Sequence, residues 1–174
     1  KKDKYQQNLQ TILKQIKQIE NLLNEFSDFA RMPKPLLKKN NIGDVIKENI
    51  NLASKFDKNI KIKLHNYLSK KVLINFDYEQ FNRLFFNLIK NSIESIQEKA
   101  QKTNKINKNI DIEIRQRRDY ININITDTGI GFKDNKTKDL IKPYFTTKEK
   151  GTGLGLSIVD KIINDHNGSI KFLN

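Results

Sequence analysis

The sequence predicts an α+β fold, a two-layer α/β sandwich preceded by one long helix, and three observations lead there. Ile110 to Arg118 and Tyr120 to Asp127 alternate isoleucines with polar residues, the period of strands covered on one face and wet on the other. Apolar residues recur at helical spacing from Asp77 to about Lys99 and from about Gly153 to His166, which supplies the cover. From Leu9, the residues Ile12, Ile16, Ile19, Leu23, Phe26 and Ala30 follow in steps of three and four, the seam of a coiled coil.

That seam needs partner helices, with packing onto its own globular domain as the alternative, and no second heptad helix follows it. The helix stops at Arg31-Met32-Pro33-Lys34-Pro35, where the prolines remove amide donors and push their predecessors out of helical geometry. The chain therefore divides into a helical segment 1–32, a linker 33–43 and a globular domain 44–174. Within the domain the pattern predicts a short helix near Asp44 to Phe56 and strands near Ile60 to His65 and Val72 to Asn75. Asp77 with Gln80 forms a capping-box-like start for the long helix. A polar stretch through Lys105 and Asn109 leads to the two alternating strands, whose short Arg118-Asp119 turn implies antiparallel pairing. A last strand is expected to open at Ser169.

Composition narrows the function classes. The 174 residues contain no cysteine, which excludes disulfides and thiolate metal sites and suits a reducing, cytoplasmic compartment. No apolar run is long enough for a membrane span or a signal peptide. The net charge of +13 raises a basic nucleic-acid-binding protein as a remote alternative, but the lysines are scattered from Lys1 to Lys171. Neither a nucleic-acid partner nor membrane contact is expected from such a distribution.

Three groups of residues carry chemistry. Asn87, Asn91 and Glu94 share one stripe of the helix that starts at Asp77, and an amide oxygen is a hard donor suited to Mg²⁺. On its own the stripe reads better as a solvated face of an Asn-rich chain. Asp127 falls where the alternation calls for an apolar residue and is followed by Thr128-Gly129-Ile130-Gly131. A carboxylate beside glycines that admit a flat group suits a purine amine, although an Asp-initiated turn gives the same pattern. Gly151-Thr152-Gly153-Leu154-Gly155-Leu156 opens a helix, so its amides and the helix dipole are offered to an anion. It is neither a P-loop nor a dinucleotide fingerprint.

In this order, Asn87-Leu-Ile-Lys-Asn91-Ser, Asp127-Thr-Gly-Ile-Gly131, Pro143-Tyr-Phe-Thr-Thr-Lys148 and Gly151-Thr-Gly-Leu-Gly-Leu156 resemble the N, G1, F and G2 boxes of sensor histidine kinases, members of the GHKL ATPase superfamily. The stretch from Glu25 to Pro33 and the short lid resemble NtrY-type nitrogen-regulation sensors most. The resemblance implies a Bergerat ATP-binding fold behind a dimerisation helix, with ATP or ADP and Mg²⁺ as cofactors. Asn91 would ligate the metal, with Asn87 supporting it, and Asp127 would accept from the adenine amine. Gly129 and Gly131 would admit the base, while Gly151, Gly153 and Gly155, with Thr152, Leu154 and Leu156, would hold the phosphates. Residues between Phe132 and Thr152 would form the ATP lid, with Phe145 its anchor and Thr146 and Thr147 beside it. Lys148 would meet the γ-phosphate. Glu94 stands where many relatives carry a basic residue, so Lys90 or Lys148 would supply the neutralising charge. Hydrolysing members of the superfamily carry a Glu base at the place of Asn87, which favours phosphoryl transfer over hydrolysis. A nucleotide-gated ATPase or binding module of the same superfamily is the alternative.

The same resemblance implies a homodimer through the N-terminal helices, a response-regulator receiver domain as partner, and a parent protein anchored in the inner membrane. His65 ends a strand and His166 closes a helix, so neither has the context of a phosphoacceptor. The acceptor is expected on the first helix of a hairpin whose second helix is residues 1–32. The closing strands of the domain are expected beyond Asn174.

Overall fold

The computed structural model describes residues 2–69, 72–103, 106–132, 139–146, 148 and 151–173. Its elements run α1 (Lys2–Ala30), β1 (Lys38–Asn40), α2 (Ile42–Ala53), β2 (Lys61–Asn66), β3 (Ile74–Phe76), α3 (Tyr78–Lys102), β4 (Asn109–Gln116), β5 (Ile121–Asp127) and α4 (Gly155–Asp165). The sequence expectations at Thr147, at Lys105 and in parts of the lid lie outside the described residues.

The alternating segments become the centre of a three-stranded sheet ordered β2-β4-β5. β4 and β5 are antiparallel, with Ile112 opposite Ile125, and Arg117 N–H donates to Tyr120 C=O at the turn between them. β2 runs parallel to β4, with Leu64 opposite Ile112. Ile110, Ile112 and Ile114 on central β4 are completely buried, whereas Ile121, Ile123 and Ile125 on the outer strand are only half-buried. One face of this sheet is closed by the helices. Val45 and Ile46 of α2, Leu84, Phe85, Ile89, Ile93 and Ile96 of α3, and Ile158, Val159 and Ile162 of α4 meet the β4 isoleucines in one core. These positions recur at spacings of one, three and four residues, so every helix turns one apolar stripe inward.

A second, two-stranded sheet pairs β1 with β3, Lys38 opposite Phe76. Part of the span read as linker 33–43 is therefore strand, and α2 begins at Ile42, capped by Asn41, whose side-chain oxygen accepts from Gly43 N–H at 2.9 Å. Asp77 ties these pieces together. Its Oδ1 accepts from Gln80 N–H to cap α3 and its Oδ2 accepts from Leu36 N–H at 2.8 Å. The reciprocal half of the expected capping box is not made. Gln80 donates instead to Pro33 C=O at 3.0 Å, and Asp77 N–H donates to His166 Nε2 at 3.0 Å.

Only the end of α1 touches the domain. Leu22 and Phe29, seven residues apart, pack against the core, while the seam before Phe26 points away, with Ile12 51%, Ile16 56% and Leu23 61% exposed. The strand expected from Ser169 does not form among residues 169–173. This segment gains no ladder partner, and its apolar residues are used otherwise: Ile170 packs on the core and Phe172 meets Phe132 edge-on at 5.7 Å. Among the described residues, no helix is long and apolar enough to cross a membrane.

Candidate nucleotide site

Helix α3 carries the polar stripe alongside its apolar one. Asn87 and Asn91 sit one turn apart, and the stripe continues through Ser95 and Lys99, each four residues further. These last two were not singled out from the sequence, although the spacing of four was there to read. Their work is structural. Ser95 Oγ accepts from Ile130 N–H at 3.1 Å, and Lys99 Nζ donates to the carbonyls of Thr128 and Gly129 at 3.0 and 2.9 Å. The Asp-Thr-Gly turn is thus bolted to α3.

Within that turn Asp127 Oδ1 accepts from Gly129 N–H at 2.8 Å, so the Asp-initiated turn is real. It uses one carboxylate oxygen. Gly129 is required by space: a Cβ there would lie 2.0 Å from Ser95 Oγ and 2.7 Å from Asp127 Oδ1. Gly131 has φ +66°, a conformation open to glycine. Thr128 fastens the turn to the neighbouring strand through Asn109 N–H at 3.1 Å.

The glycine-rich segment arrives at the other end of the stripe. Helix α4 begins at Gly155, two residues later than the sequence suggests, and its N-cap, Leu154, offers no side-chain acceptor. A Cβ on Gly155 would stand 3.0 Å from Asn87 Oδ1 and 4.0 Å from Asn91 Nδ2, so the start of α4 lies against both asparagines. Asn87 is held in turn by donating to Arg83 C=O at 2.8 Å. Gly153 adopts φ +71°, and a Cβ there would meet the Tyr144 carbonyl carbon at 2.5 Å. Gly151 leaves space for Thr146 Oγ1, which also accepts from Lys148 N–H at 3.1 Å.

Some predicted contributions are redirected. Leu154 is fully buried in the core, so only its backbone can face a ligand, and Leu156 is half-buried. Thr152 Oγ1 donates to Glu25 Oε2 of α1, a pair 127 positions apart that no sequence pattern reveals. Phe145 is exposed, and it is Tyr144, at φ +65°, that stacks on Phe26 of α1 at 6.4 Å. Lys148 reaches back across the cluster and donates to Asn91 Oδ1 at 3.2 Å and to Glu94 Oε2. Lys90 stands 3.9 Å from Glu94 on the same helix.

The Lys148 ammonium shows that Asn91 and Glu94 present their oxygens together to a cation. A neutral amide and a carboxylate are hard donors that suit Mg²⁺, which takes few protein ligands and completes its shell with water and phosphate. Among the described residues, no group of three or more His, Cys, Asp or Glu competes for that role. Two surface hollows lie elsewhere: one of about 430 Å³ between Lys47, Ile62 and Leu64, and one of about 690 Å³ between Glu48, Asn82 and Phe86. Neither is lined by the asparagine stripe, Asp127 or the glycines.

Both histidines are engaged. His166 Nε2 accepts from Asp77 N–H and its Nδ1 lies 2.7 Å from Ile162 C=O, so the neutral tautomer with a proton on Nδ1 is the one the contacts select. Its ring packs edge-on against Phe81 at 4.8 Å. His65 pairs with Asp111 at 3.3 Å on the open face of the sheet.

A glycine-fronted helix N-terminus, a cation-accepting oxygen pair and a carboxylate beside a glycine-bearing turn are together features that a purine nucleotide can use. The layered fold that brings them together is that of a GHKL ATP-binding domain. Residues 76–173 match the family model described as histidine kinase-, DNA gyrase B-, and HSP90-like ATPase. The chain belongs to this family. It is 31% identical over 161 residues to the nitrogen regulation protein NtrY of Azorhizobium caulinodans, a match covering 92% of this chain and 20% of that protein. The chain thus spans a fifth of that relative's length. Among solved structures, the mycobacterial sensor histidine kinase MprB superposes with a TM-score of 0.64 at 17% identity, covering 77% of this chain and 83% of that one. Full-length ShkA in complex with AMPPNP superposes with a TM-score of 0.70 at 18% identity, covering 86% and 31%. Residues 76–173 thus form a domain of an ATPase family that includes histidine kinases.

Proposed function

We propose that this chain binds ATP with Mg²⁺ and serves the transfer of its γ-phosphoryl group to a histidine outside these residues, for relay to an aspartate of a response-regulator receiver domain. The observation that carries this reading is the junction of α4 with α3, where the glycine-fronted helix start abuts Asn87 and Asn91. Amides at that start and the helix dipole hold phosphate oxygens. Asn91 offers a hard oxygen to Mg²⁺, which, when bound, would neutralise phosphate charge there. Asp127 keeps one oxygen fixed on Gly129 N–H and accepts the adenine amine with the other. Asn87 is neutral and holds its amide on Arg83 C=O, so it does not activate water, which favours transfer over hydrolysis. The exposed seam of α1 serves a homodimer, and a parent protein anchored in the inner membrane would keep this domain in the cytoplasm. His65 and His166, both engaged, leave the acceptor to another segment.

Titration of the chain with ADP and Mg²⁺, followed by calorimetry, tests the reading. Binding is expected in the wild type and is weakened in Asp127→Asn. The single amide oxygen of asparagine would stay on Gly129 N–H, which leaves an NH₂ facing the adenine NH₂. Losing a charge-assisted bond of about 1.5–3 kcal/mol predicts roughly ten- to hundredfold weaker binding. Absence of nucleotide binding in the wild type, or steady ATP hydrolysis by the chain alone, contradicts the proposal.

A further inference from the structure

Glu94 is the unexplained member of the α3 stripe. It stands one turn beyond Asn91, with its side chain 36% exposed, and both Lys90 and Lys148 turn to it. A carboxylate placed beside a polyphosphate repels it, unless a cation lies between the two. In the structure the cation beside Glu94 is the Lys148 ammonium, which bridges Asn91 Oδ1 and Glu94 Oε2.

We propose that Asn91 and Glu94 form one two-oxygen cation site, for which the Lys148 ammonium and the nucleotide-bound divalent metal compete. This rests on the nucleotide-binding reading above and adds Glu94 as a second protein ligand of the metal. Three physical points support it. The donor pair, one carboxylate and one amide oxygen, is what a small hard dication takes from a protein. The dication gains more than the ammonium does from the same carboxylate, because its charge is doubled and it has no stem to immobilise. The ammonium is also held only lightly. At 32% and 36% side-chain exposure the Lys148–Glu94 pair is a partly solvated salt bridge, and such pairs contribute little. Once displaced, Lys148 remains tethered by the turn through Thr146 and is free to meet phosphate oxygens. Thus one exchange neutralises Glu94 with the metal and delivers a lysine to the phosphates.

Competition makes opposite predictions for the two residues. The test uses the full 174-residue chain with ADP, which has no γ-phosphate, so that Lys148 acts only as a competitor. ADP affinity is measured by calorimetry with Mg²⁺ and with EDTA, and Mn²⁺ binding to the ADP complex is followed by the loss of the free Mn²⁺ paramagnetic resonance signal. In Glu94→Gln the gain in ADP affinity from Mg²⁺ is expected to shrink about tenfold or more, as for the loss of a metal-supporting group. Its affinity in EDTA does not fall, which also certifies that the variant is folded. In Lys148→Met, Mn²⁺ is expected to bind the ADP complex up to about fivefold more tightly, the ceiling set by a partly exposed ion pair. An unchanged Mg²⁺ gain in Glu94→Gln, or weaker Mn²⁺ binding in Lys148→Met, overturns the shared site while nucleotide binding itself stands. Failure of the wild type to bind ADP in either buffer overturns the nucleotide reading and this inference with it.

Discussion

Gly153→Ala separates the architecture of the glycine-rich loop from the stability of the domain. At φ +71° an alanine carries the left-handed penalty of about 1–2 kcal/mol. Its Cβ would also stand 2.5 Å from the Tyr144 carbonyl carbon and 2.8 Å from Phe145 N, both backbone atoms that cannot swing aside. The loop must therefore part from the Tyr144 segment, and the bond from Tyr144 N–H to Gly153 C=O, 3.0 Å long, is lost at a cost of about 1 kcal/mol. The sum is about 2–3 kcal/mol against the closed loop. Because the buried core lies in other residues apart from Leu154, the chain is expected to open the loop rather than unfold. If nucleotide binds the closed loop, its apparent affinity falls with the fraction still closed, by up to roughly thirtyfold for 2 kcal/mol. Calorimetry with Mg-ADP reads the affinity and thermal unfolding reads the core. Affinity within twofold of the wild type would show that phosphates do not depend on this loop geometry. A collapse of the melting transition would show that the loop belongs to the core.

Other expectations follow from particular contacts. Asp77→Ala removes the cap of α3 and the tie to Leu36, so urea unfolding should show a loss of about 1–2 kcal/mol, and Asp77→Asn, with one acceptor oxygen, should keep the cap and lose the tie to Leu36 N–H. Ser95→Val unfastens Ile130 N–H from α3 and should weaken ADP binding while leaving Mg²⁺ dependence intact, because the Ser95 hydroxyl serves the Asp127 turn and not the oxygens of Asn91 or Glu94. Tyr78 donates to Glu48, and that bond with burial raises its pKa to about 12. A folded pKa above the unfolded value of 10.0 means the native state holds the proton more tightly, so the bond contributes in full below pH 10 and is lost as pH rises through 12. The melting temperature of the wild type should therefore fall toward that of Tyr78→Phe over this window; parallel curves would exclude the linkage.

Much of the architecture was legible because periodicity reports burial. The alternation of isoleucines gives β4 and β5, and the apolar spacing with Asp77 gives α3. Strand β1 was not legible, since Lys38-Lys39-Asn40 has no apolar alternation and exists by pairing with β3. Ser169 onward looked like a strand by residue type, but a strand needs a neighbour, and Phe172 turns to Phe132 instead. At the site, the residue types of Asn91, Asp127 and Gly153 announce their chemistry. The cross-links from Lys148 to Glu94 and from Thr152 to Glu25 depend on which loop folds back on which helix. Periodicity carries no such information. Ser95 and Lys99 fall between these cases, visible by spacing and recognisable only once the turn they hold is placed.

If Asp127 reads an adenine base in this chain, the protein discriminates between adenine and guanine nucleotides. Adenine presents an amine where guanine presents a carbonyl oxygen, so the free oxygen of Asp127 attracts one and repels the other. Competition calorimetry of ADP against GDP, with Mg²⁺ at fixed concentration, should show ADP bound at least about tenfold more tightly, as a charge-assisted bond of 1.5 kcal/mol or more requires. Asp127→Asn should erase most of that preference. Equal affinity for the two nucleotides in the wild type, or an undiminished preference in Asp127→Asn, would contradict the account.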